Sequence, residues 1–468
     1  MRGKVNEDLK IEDVLKFTKK FALWLGKGSK VALGRDTRNS SLMYAQIIAS
    51  GLISMGIHVT DLLDLPTPII LHYIHLKKLA GGVIITGSHN PEEYNGVKFV
   101  GPSHTFINNE EIEEIQKLSL KGVSSEYPAK WDEIGLIHSA DAKKLYKSLL
   151  NKELDIKNIK KRGLKVIVDT NAGTAKGVID IFLSSYGCIL IHLHEKFNIT
   201  NDSSMCYPHF PRKIEPIAEN LEVLKLEMKK TNADVGFAYD CDADRLTVVG
   251  PDGEVYPEDV SVLLPMHYFL HRNALKKSPK KILIVTNIAS SLAFDDLAEK
   301  FGAKIYRTQI GEQYLARKFT QLKLDNPGTL IIGGEGSSGG FMYPRFNNAR
   351  DGIFASCVIC DCLSQHSESL SELIKNIPKY SSYRESFTVP KSLKIIDRLK
   401  IHLEEENLTY IAKGNDVKII NKKRKEWILV HQSNTEPVIR VIAEAKEASR
   451  AKSLVKQYRV GIEKKNQE

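Results

Sequence analysis

GGVIITGSHNPEEYNGVKF, from Gly81 to Phe99, is the stretch on which the reading of this chain turns. Val83-Ile84-Ile85 is a short apolar run of the kind that forms a buried strand. Thr86-Gly87-Ser88-His89-Asn90-Pro91 follows it with a small, a nucleophilic, a titratable and a rigid residue. In an open α/β sheet, ligands sit beyond the carboxyl ends of the strands, which is where this loop falls. A hydroxyl held there at Ser88, beside His89 and exposed by Gly87, could act as a covalent nucleophile or phosphate carrier. On this stretch alone, a solvated Ser-Asn-Pro turn accounts for the residues equally well.

Working outward, strands alternate with helical stretches throughout, which predicts an α/β fold with mixed or mostly parallel sheets. The first unit has strands near Lys30–Leu33, His58–Leu62 and Val83–Ile85, and helical spacing from Ser41 to Met55. Asn108-Asn109-Glu110-Glu111 has the capping and acidic residues to start a helix over Glu110–Leu118. An amphipathic helix at Ser139–Leu150 reads as a connector. A second unit opens with Leu164–Asp169 and runs through Val235–Ala238 into an acidic loop. A third begins after Pro251-Asp252-Gly253, with strands at Ile282–Val285, Lys304–Tyr306 and Thr329–Ile332 and a closing helix at Gly352–Leu363. Tyr380–Val389 reads as a linker. The last unit has strands near Val417–Ile420, Trp427–Val430 and Val438–Ile442, then a basic helix. The expected architecture is four domains, three similar mixed-sheet units and a smaller C-terminal α+β unit, at 1–140, 141–251, 252–368 and 380–468. Three like units suggest ancient repetition, although no strong residue-level self-match is visible.

At 468 residues, 42% apolar and 26% charged, the chain has the composition of an ordinary globular protein. No run approaches the roughly 20 apolar residues of a membrane span, and MRGKVNEDLK has no apolar core of a secretory signal. A cytoplasmic protein is expected, with no membrane partner. Six scattered cysteines form no disulfide framework. Cys357-x-x-Cys360 could be half a metal site, but it lies in a run that reads as a buried helix, where free cysteine commonly packs. The net charge of +10 admits either nucleic acid or a small anion as partner. The basic residues are spread out and no nucleic-acid-binding motif appears, so no nucleic-acid partner is expected.

Three further loops carry chemistry. Asp240-Cys241-Asp242-Ala243-Asp244-Arg245 follows a strand, and three carboxylates at alternate positions can converge on a hard cation such as Mg²⁺. Arg245 adds a planar fork for an anion beside it. An EF-hand is excluded, because no Gly stands at loop position 6 and no Glu at position 12. Gly333-Gly334-Glu335-Gly336-Ser337-Ser338-Gly339-Gly340 allows close backbone approach. It lacks the marks of a P-loop or dinucleotide fingerprint, and offers a carboxylate and hydroxyls suited to sugar hydroxyls. Ser433-Asn434-Thr435-Glu436-Pro437, with Arg440 three residues on, reads either as an anion nest or as a plain β-turn. Gly34-Arg35-Asp36-Thr37-Arg38 reads as mostly structural support, its arginines pairing with Asp36 or reaching the Ser88 loop.

Taken together and in this order, the loops resemble those of the α-D-phosphohexomutases, along essentially the whole chain. TGSHNP looks like that family's phosphoserine loop, DCDADR its magnesium loop, GGEGSSG its sugar loop and SNTEPVIR its phosphate loop. The resemblance implies a four-domain enzyme around a central cleft, converting hexose 1-phosphate and hexose 6-phosphate through a phosphoserine and a 1,6-bisphosphate, which also serves as activator. Glucose and mannose phosphates are the expected substrates, with glucosamine phosphate as the alternative. It implies a phosphoryl group on Ser88, and Mg²⁺ held by Asp240, Asp242, Asp244 and Ser88. Lys98 is implied as acid/base, with Arg245 and His89 beside it. Glu335 and Ser337 would hold the sugar, and Ser433, Asn434, Thr435 and Arg440 the distal phosphate. A monomer or homodimer is expected, and a non-catalytic sugar-phosphate sensor is a further alternative. The chain departs from the family pattern in several places, among them Cys241 and Ala243, which stand where glycine is common in the magnesium loop, and Gly339, which falls near a position where many relatives have a histidine. The strand that usually precedes an Arg-Gly pair is missing before Arg2-Gly3, which leaves the role of Arg2 open. His431-Gln432 stands where an arginine often precedes the phosphate loop. Glu312 occupies a position that varies among subfamilies.

Overall fold

The computed structural model describes residues 1–120, 128–200, 207–388, 395–405, 409–421, 423–432 and 438–464. Three of its sheets are built to one plan. In the first, the strands Lys30–Arg35, His58–Asp64 and Gly81–Ile85 run parallel, and Tyr94–Val100 returns antiparallel along Gly81–Ile85. The second repeats this with Lys165–Asp169, Ile189–Leu193, Val235–Tyr239 and antiparallel Leu246–Val249. The third repeats it again with Ile282–Asn287, Lys304–Thr308, Leu330–Glu335 and antiparallel Gly340–Met342. In each sheet the loop-bearing strand lies between the first strand and the returning one. The loops carrying Ser88, Asp240–Arg245 and Gly333–Gly340 are therefore equivalent connections, each joining a parallel strand to its antiparallel neighbour.

Two short strands extend the first sheet. Ile137–Ser139 pairs with His58–Asp64, and Arg2–Lys4 pairs with Tyr94–Val100. The N-terminus is thus anchored at the sheet edge, where the Met1 ammonium donates to the Val97 carbonyl at 2.8 Å. The connector helix runs over Ala142–Glu153, shifted from the expected Ser139–Leu150 because Asp141 caps it, accepting from the Lys144 N–H. Asn108 and Glu111 form a reciprocal capping box on Asn109–Lys117.

Strands covered on both faces read as continuous apolar runs. Val31, Leu33, Val83 and Ile85 pack on one side with Phe21, Tyr44 and Ile48, while Ala32 and Ile84 face Ile69, Ile70 and Ile74. The latter layer continues through the second and third units as one core. There the helix Gly352–Gln365 buries Phe354 against Phe341, Phe346 and Tyr343. Each such aromatic contributes on the order of 1.5–3 kcal/mol by burial. Cys357 and Cys360 are free and fully buried in this helix, which makes them core residues.

The fourth sheet is wholly antiparallel, in the order Ser381–Thr388, Val438–Ala445, Glu426–Gln432, Asp416–Asn421 and Tyr410–Lys413. The expected linker at Tyr380–Val389 is therefore wrong: Ser381–Thr388 is a full edge strand. Its alternation places Tyr383, Glu385 and Phe387 inward, and the two rings pack against the fourth core. The other face of this sheet docks on the third unit through Trp427 and Leu429 against Ile288 and Ala289. Lys418 is fully buried in this contact, donating to the Ile288 carbonyl at 2.8 Å over the Trp427 ring. Among the described residues, no helix is long and apolar enough to cross a membrane.

Candidate active site

The Ser88 loop is held from behind by a buried arginine. Arg38 Nη2 donates to the carbonyls of Ser88 (2.8 Å) and Asn90 (2.6 Å), and Nη1 to those of Pro91 (2.7 Å) and Tyr94 (3.1 Å). Its Nε meets Asp36 Oδ2 at 3.1 Å, and the Gly87 N–H donates to the same oxygen. A single fork satisfies carbonyls that the tight loop could not pair with a strand. The supporting role read for Gly34–Arg38 is filled by Arg38 and Asp36, while Arg35 pairs with Asp61 and Asp64. So braced, Ser88 takes a positive φ of 50° and is 2% exposed, with its Oγ donating to Asp240 Oδ2 at 2.8 Å.

Asp240, Asp242 and Asp244 converge in the turn after Val235–Tyr239, each offering a carboxylate oxygen within 4.8 Å of the others. All three are buried. Asp242 and Asp244 are each anchored by one oxygen. Thr67 Oγ1 donates to Asp242 Oδ2 at 2.7 Å, with Lys98 Nζ 3.4 Å away, and Arg350 Nη2 donates to Asp244 Oδ2 at 2.5 Å. The second oxygens, Asp242 Oδ1 and Asp244 Oδ1, are buried with no hydrogen-bond partner. Burial, and then the charges of Asp242 and Asp244, push the Asp240 carboxyl far above its ordinary range. Burial would also raise Asp242, but Lys98 and then Thr67 hold it below. Buried carboxylate oxygens without a hydrogen bond, on side chains in mutual repulsion, are the donor set a hard divalent cation satisfies, so the residues fit Mg²⁺.

Arg350 was not singled out by the sequence reading, yet it joins the three-aspartate turn to Glu335. Besides Asp244, its Nη1 donates to Glu335 Oε2 at 2.7 Å and its Nε to Glu312 Oε2 at 3.3 Å. Burial lowers its proton affinity, but Asp244, Glu312 and Glu335 override this and lift it well above the usual guanidinium range. Glu335, whose burial would raise it, is held below its ordinary value by Arg350, and its other oxygen accepts from Asn287 Nδ2 at 2.8 Å. For Glu312 burial wins over Arg350, and the carboxyl sits above its usual value.

A cleft of about 860 Å³ opens over these groups. The first unit lines it with Arg2, Ser88, His89 and Lys98, the second with Arg245 and Glu215, and the third with Glu312, Glu335, Ser337, Ser338 and Arg350. Arg2, left open by the sequence reading, stands at the cleft because its strand pairs there. His89 Nδ1 is buried with no partner. Burial, followed by Arg245, Arg2 and Arg350, lowers the ring to about 3, so it is neutral at neutral pH. Lys98 Nζ lies 5.3 Å over the Phe106 ring, and Arg245 Nε stands 4.0 Å from both Asp240 Oδ2 and Asp244 Oδ1. Ser338 Oγ donates to Glu335 Oε2 at 3.0 Å, and Ser337 stands on the cleft wall.

Among the described residues, the fourth unit contributes only Arg384 to this wall. Ser433, Asn434 and Thr435 lie outside the described residues. Arg440 sits on Val438–Ala445 opposite His431 and Ser386 and does not line the cleft. His431 Nδ1 is 2.6 Å from Asp416 Oδ1.

The site thus sets one hydroxyl and three convergent carboxylates against a ring of cations, a combination suited to moving a phosphoryl group. Comparison with known proteins agrees along the whole chain. Models for phosphoglucomutase/phosphomannomutase alpha/beta/alpha domains I, II and III match residues 1–125, 144–253 and 258–380, and the C-terminal domain model matches 390–459. A phosphoglucomutase/phosphomannomutase of Thermococcus kodakarensis is 34% identical, over 97% of this chain and 94% of its own. A phosphoglucosamine/phosphogalactosamine mutase of Sulfurisphaera tokodaii is 30% identical, over 99% and 98%. The solved structure of a phosphoglucomutase/phosphomannomutase family protein from Burkholderia thailandensis shares the fold, with a TM-score of 0.79 at 21% identity over 98% of this chain and 94% of that one. With all four domain models in order and a relative aligned nearly end to end, the chain belongs to the phosphoglucomutase/phosphomannomutase family of mutase enzymes.

Proposed function

We propose that this enzyme interconverts the 1- and 6-phosphates of a hexose of the glucose or mannose type, with Ser88 as the phosphoryl carrier. The observation that carries this reading is the Ser88 hydroxyl at 2.8 Å from Asp240, at the mouth of the three-carboxylate turn. Asp240, Asp242, Asp244 and a Ser88 phosphate oxygen would hold Mg²⁺, which when bound neutralises phosphoryl charge.

In the forward step, the bond between Ser88 Oγ and phosphorus breaks as one forms to the free hydroxyl of the hexose monophosphate. Lys98 delivers a proton to Oγ and takes the proton that the sugar hydroxyl releases, giving a hexose 1,6-bisphosphate. The intermediate turns over and its other phosphate returns to Ser88 by the reverse transfer. Arg245 and Arg2 place positive charge beside the moving group, which positioning and electrostatics alone can accelerate strongly. Neutral His89 offers a hydrogen bond without adding charge. Glu335, with Ser337 at the wall, accepts from sugar hydroxyls in either bound orientation, and Ser433, Asn434 and Thr435 hold the distal phosphate. A hexose 1,6-bisphosphate added from solution would charge Ser88 and so act as activator.

A glucosamine phosphate is the second reading. It is favoured by the carboxylate of Glu312 in the cleft wall, which suits a substrate ammonium, and by the amino-sugar mutase among the relatives.

The test is Ser88→Ala. Turnover on glucose, mannose and glucosamine phosphates should fall below detection while the melting temperature holds. Intact-mass analysis should find one phosphate on the wild type and none on the variant. Unchanged turnover in Ser88→Ala would sink the carrier assignment.

A further inference from the structure

A second concavity, of about 410 Å³, lies where the end of the helix Ala142–Glu153 meets the third unit. Its wall carries six basic side chains, Lys152, Arg272, Lys276, Lys280, Lys323 and Arg345, against the single carboxylate of Glu153. The net of five positive charges is half of the chain's formal excess of +10. The catalytic cleft, built for a sugar phosphate, sets five cationic side chains against three glutamates, with three aspartates beneath. The groove is therefore the more positive of the two.

Little of this charge is neutralised within the protein. Arg345 Nε is 3.4 Å from Glu153, and Arg272 Nη1 is 3.7 Å from Asp361. Lys323 Nζ reaches the Pro344 carbonyl at 3.5 Å. Among the described residues, the ammonium groups of Lys152, Lys276 and Lys280 meet no carboxylate or carbonyl. A basic face that is merely solvated is usually interspersed with acidic residues. Here like charges are gathered in a hollow whose lining includes the stacked pair Phe269 and Tyr343, with ring centroids 4.5 Å apart. Low-dielectric walls concentrate such a field and raise the local concentration of anions. The hollow also continues, through Lys152, Lys323 and Arg345, into a cavity of about 660 Å³ lined by His72, His75 and His104. Small-molecule sites favour such concave junctions between domains.

We propose that this groove is a second anion site, separate from the catalytic cleft, for a small molecule carrying two or more adjacent phosphate groups. Several ammonium groups around one hollow match a polyphosphate better than a single phosphate, which one arginine fork would hold. The segment after the groove gives such a ligand a route to the chemistry. Tyr343, Pro344 and Arg345 line the groove, Asn347 lines its continuation, and Arg350 holds Asp244 and Glu335.

The test is calorimetric titration of the full chain with inorganic tripolyphosphate, in metal-free buffer at fixed ionic strength. Lys276→Glu/Lys280→Glu should weaken binding at least about tenfold, and the milder Lys276→Gln/Lys280→Gln about threefold. Lys98→Met in the catalytic cleft, and Lys229→Glu/Lys230→Glu on a remote helix, should each change binding by less than about twofold. Mutase turnover without tripolyphosphate should be unaffected by the groove substitutions. The proposal is overturned if tripolyphosphate does not bind. It is equally overturned if only Lys98→Met weakens binding, which would place the anion in the catalytic cleft. An equal loss in Lys229→Glu/Lys230→Glu would reduce the effect to net charge and overturn it as well.

Discussion

Arg350 carries more of the site's geometry than any other side chain, and it was the hardest to foresee. Its partners Asp244, Glu312 and Glu335 come from a turn, a helix N-terminus and a strand end, and the nearest along the chain is Glu335. No periodicity or short-range spacing announces such a contact, and Arg350 stands in the stretch before the helix Gly352–Gln365, outside every loop with a motif. Ser88 and the three aspartates were legible because they sit together in short loops directly after apolar strands. Arg350 matters because it fixes which oxygen of Asp244 is taken, leaving Oδ1 buried without a hydrogen bond. Partners that orient a metal ligand typically account for 10–100-fold in affinity. Arg350→Met is therefore expected to raise the Mn²⁺ dissociation constant by about 10–100-fold, measured by titration followed by electron paramagnetic resonance. Wild-type affinity in that variant would show that Asp244 needs no support.

At the scale of elements, three loops with unrelated sequences share one topological place, each closing a parallel strand onto an antiparallel neighbour. The repetition suspected from unit sizes is thus visible in strand order even though residue-level similarity is not. Sheet geometry constrains where a loop emerges and leaves its side chains free to diverge. The edge strand Ser381–Thr388 was misread as a linker for a related reason. Its alternation is carried by Tyr383, Glu385 and Phe387 among serines, a weak pattern on a partly exposed edge. The glycine pair before Glu335 places a strict demand on the backbone. Gly333 has a φ of 158°, and a Cβ added there would lie 1.9 Å from the Val285 carbonyl oxygen on the neighbouring strand. Neither strand can yield without breaking the ladder from Ile282 to Thr286. Gly333→Ala is expected to cost about 1–3 kcal/mol or more, read as a lower midpoint in denaturant unfolding. Because Glu335 follows two residues later, KM for the hexose phosphate should rise as well. A variant with unchanged midpoint and KM would mean that the strand absorbs the methyl freely.

At the scale of the molecule, the cleft exists because three units share one core, and that core contains a titratable group where they meet. His72, on the helix Thr67–Leu76 of the first unit, packs edge-on to Tyr146 of the second at 5.2 Å and against Phe346 of the third at 4.8 Å. Burial, followed by the charge of His75, lowers the ring to about 4, so the folded protein holds it neutral where an exposed imidazole would begin to charge. The depressed value sets the sign of the pH effect. In the window between the ordinary 6.5 and about 4, the unfolded chain binds a proton that the folded chain does not. The contribution of His72 to stability is therefore complete above pH 6.5 and is lost progressively as the pH falls toward 4. Aromatic residues already surround the site, so Phe at position 72 keeps much of the packing while removing the proton. Denaturant unfolding of the wild type at pH 7 and at pH 4.5 should show a larger loss of stability than unfolding of His72→Phe across the same interval. Because the ring joins three units, the wild-type transition should also lose cooperativity on the acid side before the fourth unit, whose core is separate, responds. Equal pH dependence in the two proteins would assign acid sensitivity elsewhere and leave the junction electrostatically inert.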